Sequence, residues 1–124
     1  MSRAASAPIL LTLACALAAL GLASGAQAAP DAARQQVLVR MVRQDCGSCH
    51  GMRLTGGLGP ALTPAALADR PLESMVSTIV HGRPGTPMPP WRALLDEDEA
   101  RWIAERLAAG FPEESRPDPR KAAP

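Results

Sequence analysis

Cys46-Gly47-Ser48-Cys49-His50 is the stretch of this chain whose residue types and spacing carry a defined chemistry. Two thiols stand about one turn of backbone apart, and an imidazole follows the second directly. Three chemistries use such a pattern. A bare C-x-x-C pair is a thiol–disulfide redox couple, but that couple belongs to a βαβ setting, and no strand pattern flanks it here. Two Cys and one His make part of a tetrahedral zinc site, which needs a second ligand cluster to close it. The sequence offers none. C-x-x-C-H is also the attachment motif for c-type haem. There the two thiols reach the two vinyl groups of the porphyrin, and the His presents its imidazole to the iron from the same face. This third reading is favoured. One covalent haem c is expected, bonded at Cys46 and Cys49, with His50 as the first axial ligand.

A second axial ligand has to approach from the opposite face. Met41 and Met75 fall on apolar helical stripes, where filling a core is the usual work of Met. Met52 follows His50 too closely to cross the ring. Met88 stands 38 residues beyond His50, within Gly85-Thr86-Pro87-Met88-Pro89-Pro90. A loop stiffened by Pro can hold a soft thioether against iron without a helix to carry it. Met88 is therefore the expected sixth ligand. His81 is the nitrogen alternative, but a His at a helix end more often meets free carbonyls. Arg83 and Trp91 flank the same loop and are candidates to meet a haem propionate.

These groups must be positioned by helices, since no stretch reads as a strand. From Asp31 to about Val42, Ala33, Val37 and Met41 recur at four-residue spacing beside Leu38 and Val42, an amphipathic pattern. Thr63-Pro64 reads as an N-cap and first helical position. Pro71 to about Val80 is a second amphipathic helix, stopped by Gly82. Gly82 to Pro90 holds Pro84, Pro87, Pro89 and Pro90 and forms neither helix nor central strand. Asp96 with Glu99 makes a capping box for a last helix that runs to about Ala109 and closes at Gly110. The expected fold is all-α: three to four helices around one haem.

The ends and the composition bound the rest. Arg3 and the uncharged run of 15 residues from Ile9 to Ala23 lead to Ala26-Gln27-Ala28, a small-x-small site. This is the pattern of a cleavable signal peptide over residues 1–28, shorter than the roughly 20 apolar residues of a bilayer span. Cys15 lies inside the apolar run and is a small hydrophobe there. The expected layout is a domain over 29–110 and a disordered tail over 111–124, rich in Pro and charge. Of 13 basic and 12 acidic side chains, the leader removes only Arg3, so the exported chain is balanced at 12 each. That balance disfavours nucleic acid or an anionic membrane as partner. Trp91, Trp102 and Phe111 are the only aromatic residues. A core of roughly 95 residues with so few large side chains is thin, and an apolar group from outside would complete it.

The chain resembles the class I c-type cytochromes over almost all of residues 31–110. Beyond C-x-x-C-H, Gly59-Pro60-x-Leu62 is similar to that family's Gly-Pro-x-Leu element, and Met88-Pro89 to its ligand Met-Pro. The resemblance implies that the Pro60 carbonyl accepts the ring N–H of His50. Residues 45–63 together with 81–91 resemble more narrowly the cytochrome c55X family of denitrifying bacteria. That family implies a monomeric periplasmic electron carrier serving cytochrome cd1 nitrite reductase, or an accessory role in maturing the reductase's haem d1. A small haem peroxidase is the enzymatic rival, and filled axial positions speak against it. Arg106 stands where many class I proteins carry an aromatic, with Trp102 and Ile103 available to compensate. Arg40, Arg43, Arg53, Arg83 and Arg92 fall around the haem segments and are expected to form a weakly positive docking face.

Overall fold

The structure, a computed structural model, describes residues 28–114. Apart from Ala28, the signal-peptide reading falls outside the described residues, as does the expected tail from Ser115. Among the described residues every regular element is helical. The order is α1 (Ala32–Met41), a π-helical turn (Val42–Cys46), α2 (Gly47–His50), α3 (Pro64–Leu67), α4 (Leu72–His81) and α5 (Glu97–Ala109).

The Asp31 carboxylate caps α1 by accepting from the Arg34 backbone N–H at 2.8 Å. The stripe through Ala33 and Val37 expected to be buried is not: Ala33 is exposed and Val37 is 40% exposed. Leu38 and Val42 are the wholly buried pair instead. Arg34 lies one turn before Leu38, on the side of α1 that meets α5. Burying each of these two side chains is worth roughly 1.5–3 kcal/mol.

The first helix does not stop near Val42 as the periodicity implies. It passes into the π turn, where the Gly47 N–H donates to the Gln44 and Val42 carbonyls. The wider turn accommodates one extra residue, so the helical path continues unbroken to His50.

At α5 the expected capping box is present. The Asp96 carboxylate accepts from the Glu99 N–H at 2.8 Å, and Glu99 Oε2 accepts from the Asp96 N–H at 3.2 Å. Glu99 also receives the Arg34 guanidinium through Nε and, at 3.0 Å, through Nη2. The starts of α1 and α5 are thereby tied together. The contact with Arg34 holds the Glu99 carboxyl below its ordinary range, against the opposing effect of partial burial.

Leu38, Val42, Leu54, Leu95, Trp102, Ile103 and Leu107 make the main core. A second cluster joins Val76 of α4 to Ala100 and Ala104 of α5. Both Ala residues are fully buried, and their small side chains let the two helices approach closely. Arg101 of α5 pairs with Glu73 of α4 through Nη1 and, at 2.8 Å, through Nη2.

Phe111 and Pro112, expected to begin a disordered tail, are docked. Buried Arg43 donates to the Phe111 carbonyl at 2.8 Å and to the Pro112 carbonyl at 2.9 and 3.0 Å. Its guanidinium stands 5.7 Å from the Phe111 ring centre, and that ring meets Trp102 edge-on at 6.4 Å. Arg106 lies over the Trp102 ring at 5.9 Å. A cation on indole thus stands where an aromatic was expected, and Trp102 and Ile103 supply the buried surface.

Candidate haem site

The π turn delivers Cys46 to the edge of the main core, and α2 then carries Ser48, Cys49 and His50 in a single turn. Ser48 Oγ donates to the Asp45 carbonyl at 2.7 Å, closing that turn. Burial pushes the Cys46 thiol up to about 11, and the adjacent Asp45 charge acts in the same direction. At neutral pH this thiol is protonated and packs as a small apolar group. Cys49 is exposed, and the two sulfurs are not joined.

After α2 the chain reverses through Gly51, whose φ of +85° is open to glycine at little cost. Carbonyls left free at the end of α2 are then taken up by the loop. The Gly56 N–H donates to the His50 carbonyl and the Gly59 N–H to the Cys49 carbonyl, both at 2.8 Å. This folds the loop back over the imidazole. His50 Nδ1 lies 2.7 Å from the Pro60 carbonyl oxygen. A carbonyl only accepts, so the proton sits on Nδ1, and Nε2 keeps its lone pair for a metal.

Gly59 is the member of this site whose reason the sequence reading did not supply. A Cβ there would stand 2.7 to 3.2 Å from three ring atoms of His50. Only a residue without a side chain lets the backbone reach the ring. A Gly immediately before the carbonyl-bearing Pro was the available signal.

Met88 sits half-buried in a loop folded on itself. The Arg83 N–H donates to the Met88 carbonyl at 3.1 Å, and the Met88 N–H to Thr86 Oγ1 at 3.3 Å. Gly82, with φ of +71°, approaches the loop so closely that a Cβ would meet the Met88 oxygen and the Pro90 nitrogen at 2.7 Å. The far end is pinned to α4: the Trp91 and Arg92 N–H groups donate to the Ile79 and Val80 carbonyls at 3.0 and 3.2 Å. Met75, by contrast, lines a groove of about 470 Å³ with Leu67 and Leu72 and packs on the second cluster. Met52 is 64% exposed, and His81 ends α4 exposed.

Among the described residues no group of three or more His, Cys, Asp or Glu is placed to hold a metal ion by itself. This is the donor set of a zinc site, and it is missing there. The donor set present instead is two unjoined thiols one turn apart and an imidazole with a fixed tautomer and an oriented Nε2. That set fits haem.

The comparisons with known proteins agree. Residues 30–105 match the family of cbb3-type cytochrome c oxidase subunit III. Cytochrome c55X of Pseudomonas aeruginosa is 58% identical over 100 residues, covering 81% of this chain and 80% of that protein. The chain belongs to the cytochrome c55X family. It is a class I c-type cytochrome with a small all-α fold and one covalently bound haem c. The solved structure of the c-type cytochrome NirC superposes with a TM-score of 0.65 at 61% identity, covering 66% of this cytochrome and 96% of NirC. Dihydro-heme d1 dehydrogenase of P. aeruginosa is 36% identical over 96 residues, or 77% of this cytochrome but 19% of the dehydrogenase. No helix among the described residues of this cytochrome is long and apolar enough to cross a membrane.

Of the five arginines expected on a docking face, Arg40, Arg53, Arg83 and Arg92 are exposed, but Arg43 is not. It is spent on the Phe111 and Pro112 carbonyls and on Glu113 at 3.3 Å.

Proposed function

We propose that this cytochrome is exported to the periplasm and carries single electrons to cytochrome cd1 nitrite reductase. In this reading Cys46 and Cys49 hold the haem by thioether bonds, and His50 Nε2 and Met88 Sδ are the axial ligands. The observation that carries the ligand assignment is the 2.7 Å contact from His50 Nδ1 to the Pro60 carbonyl. It fixes ring orientation and tautomer and raises the basicity of Nε2.

Bound haem c supplies one Fe(III)/Fe(II) couple. The chain's own residues set its conditions. A neutral imidazole with a soft thioether favours the ferrous state relative to harder pairs. Pro87, Pro89 and Pro90 restrict the loop that presents Met88, so little rearrangement accompanies a change of charge. With both axial positions filled by side chains, no position is left for a substrate, which disfavours peroxidase chemistry. Exposed Arg53, Arg83 and Arg92 surround these segments and suit an acidic partner surface.

The test is to mix the reduced, haem-loaded protein with oxidised nitrite reductase and follow both haem spectra. Oxidation of this cytochrome with matching reduction of the enzyme is expected; no transfer on the time scale of turnover would overturn the carrier reading. A second reading, service to haem d1 maturation, is favoured by the likeness to dihydro-heme d1 dehydrogenase. A deletion strain decides between them: complete haem d1 in the reductase supports the carrier, and its loss supports the maturation role.

A further inference from the structure

Among the described residues Arg43 is the one charged side chain that is buried, at 7% exposure. The Phe111 and Pro112 carbonyls satisfy its hydrogen bonds, but they are neutral and leave its charge in place. Its carboxylate neighbour, Glu113 at 3.3 Å, is 90% exposed, so water and salt screen that negative charge. Asp45 and Glu114, the other acids of this region, are exposed as well.

Inward, the medium is apolar. Phe111, whose ring centre lies 5.7 Å from the guanidinium, packs against the main core of Leu38, Val42 and Trp102. Cys46 packs against that same core, three residues after Arg43 in the π turn. A charge acts through such a medium with far less screening than it meets at a surface.

We propose that Arg43 raises the reduction potential of the haem held at Cys46 and Cys49 by keeping a weakly screened positive charge inside the domain. The inference rests on the haem attachment proposed above. Ferric iron carries one positive charge more than ferrous, so a fixed cation disfavours the oxidised form and favours the reduced one. No contact between Arg43 and the haem is needed, because the interaction falls off only as the inverse of distance. Arg40, Arg53, Arg83 and Arg92 differ in kind: they are exposed, and salt screens them beyond a Debye length of about 10 Å.

The size of the effect follows from the size of the domain. A chain of about this length has a radius of gyration of roughly 13 Å. At an effective dielectric constant of about 20, one unit charge roughly 12 to 25 Å away changes the ferrous-to-ferric ratio by about tenfold to threefold.

The experiment is redox titration of the haem-loaded wild type, Arg43→Met and Arg43→Lys, with mass spectrometry of the peptide that carries Cys46 and Cys49. At the ambient potential that half-reduces the wild type, R43M should show a ferrous-to-ferric ratio roughly three- to tenfold lower. R43K keeps the charge and loses the fork of donors, and its ratio should stay close to wild type. The R43M shift should also persist at high salt. An unchanged ratio in R43M, an equal fall in R43K, or a shift that salt abolishes overturns the proposal and leaves Arg43 a structural clasp. Wild-type peptide without haem overturns the attachment reading instead. Should R43M fail to fold, Arg43→Gln keeps an N–H donor for the Pro112 carbonyl and takes its place, with the same outcomes expected.

Discussion

The carbonyl oxygen of Pro60 lies 2.7 Å from Nδ1 of His50, and Gly59, the residue before it, runs so close to the ring that a Cβ on it would stand 2.7 to 3.2 Å from three ring atoms. Two adjacent residues therefore act on one ring, the first by having no side chain and the second by offering an acceptor. Gly59→Ala would force its Cβ against three ring atoms. A loss of about 1–3 kcal/mol is expected for such overpacking, with a shifted Soret band from a tilted ring. Thermal unfolding and the visible spectrum of the haem-loaded variant check it; an unchanged pair would mean the contact relaxes freely.

Met88→Ala removes the proposed thioether. The charge-transfer band of a Met–iron bond should vanish, and the reduction potential should fall by a sizeable part of the roughly 0.8 V that axial ligands span. Met75→Leu, which alters a groove-lining side chain, should leave both unchanged. The reverse pattern would move the ligand assignment to α4.

Arg43 ties Phe111 and Pro112 to the helix that bears the thiols. Arg43→Met should cost about 1–3 kcal/mol through the stranded Phe111 and Pro112 carbonyls. Truncation after Gly110 should cost a similar amount. In the double variant the losses should not add, because both remove one interaction. Denaturant unfolding measures all three, and full additivity would show that the docking of Phe111 and Pro112 does not depend on Arg43.

Acid sensitivity follows from two ion pairs. Glu99 and Glu73 both have pKa values held down, chiefly by hydrogen bonds from Arg34 and Arg101. A depressed carboxyl contributes stability that is complete above its unfolded value, about 4.3 for Glu, and is lost as pH falls through its folded value. Glu99→Gln should lower the melting temperature at pH 7, and the gap from wild type should narrow on acidification below pH 4. A gap independent of pH would assign the effect to packing.

Charge on the exposed face is tested by salt. Arg53→Glu and Arg92→Glu should slow association with an acidic redox partner, and the wild-type rate should drop as ionic strength rises. A rate indifferent to salt removes electrostatics from docking.

Much of this was legible in the chain because it is local. Caps at Asp96 and Thr63 and the stop at Gly82 depend on residues three or four apart, and all appear in the structure. What could not be read depends on distant partners. Leu38 rather than Val37 is buried because the core it joins is built with Trp102, Ile103 and Leu107, far along the chain. Arg43 looked like surface charge because its acceptors are backbone carbonyls, which have no identity in a sequence. The close approach of Gly59 to an imidazole nine residues earlier likewise arises only once the loop has closed.

The π turn between Val42 and Cys46 makes chain length a mechanical dimension of this protein. Each residue in a regular helix turns the path by about 100°, and the wider turn absorbs one surplus residue, so deleting Gln44 would restore regular helix with the thiols and the imidazole still in place relative to Leu38, whereas a second deletion would swing them around the axis. At exposed Gln44 composition is free to drift, whereas the count can fall by one and no further. Substituting or deleting Gln44 should yield red cells, and deleting Gln44 together with Asp45 should yield pale ones.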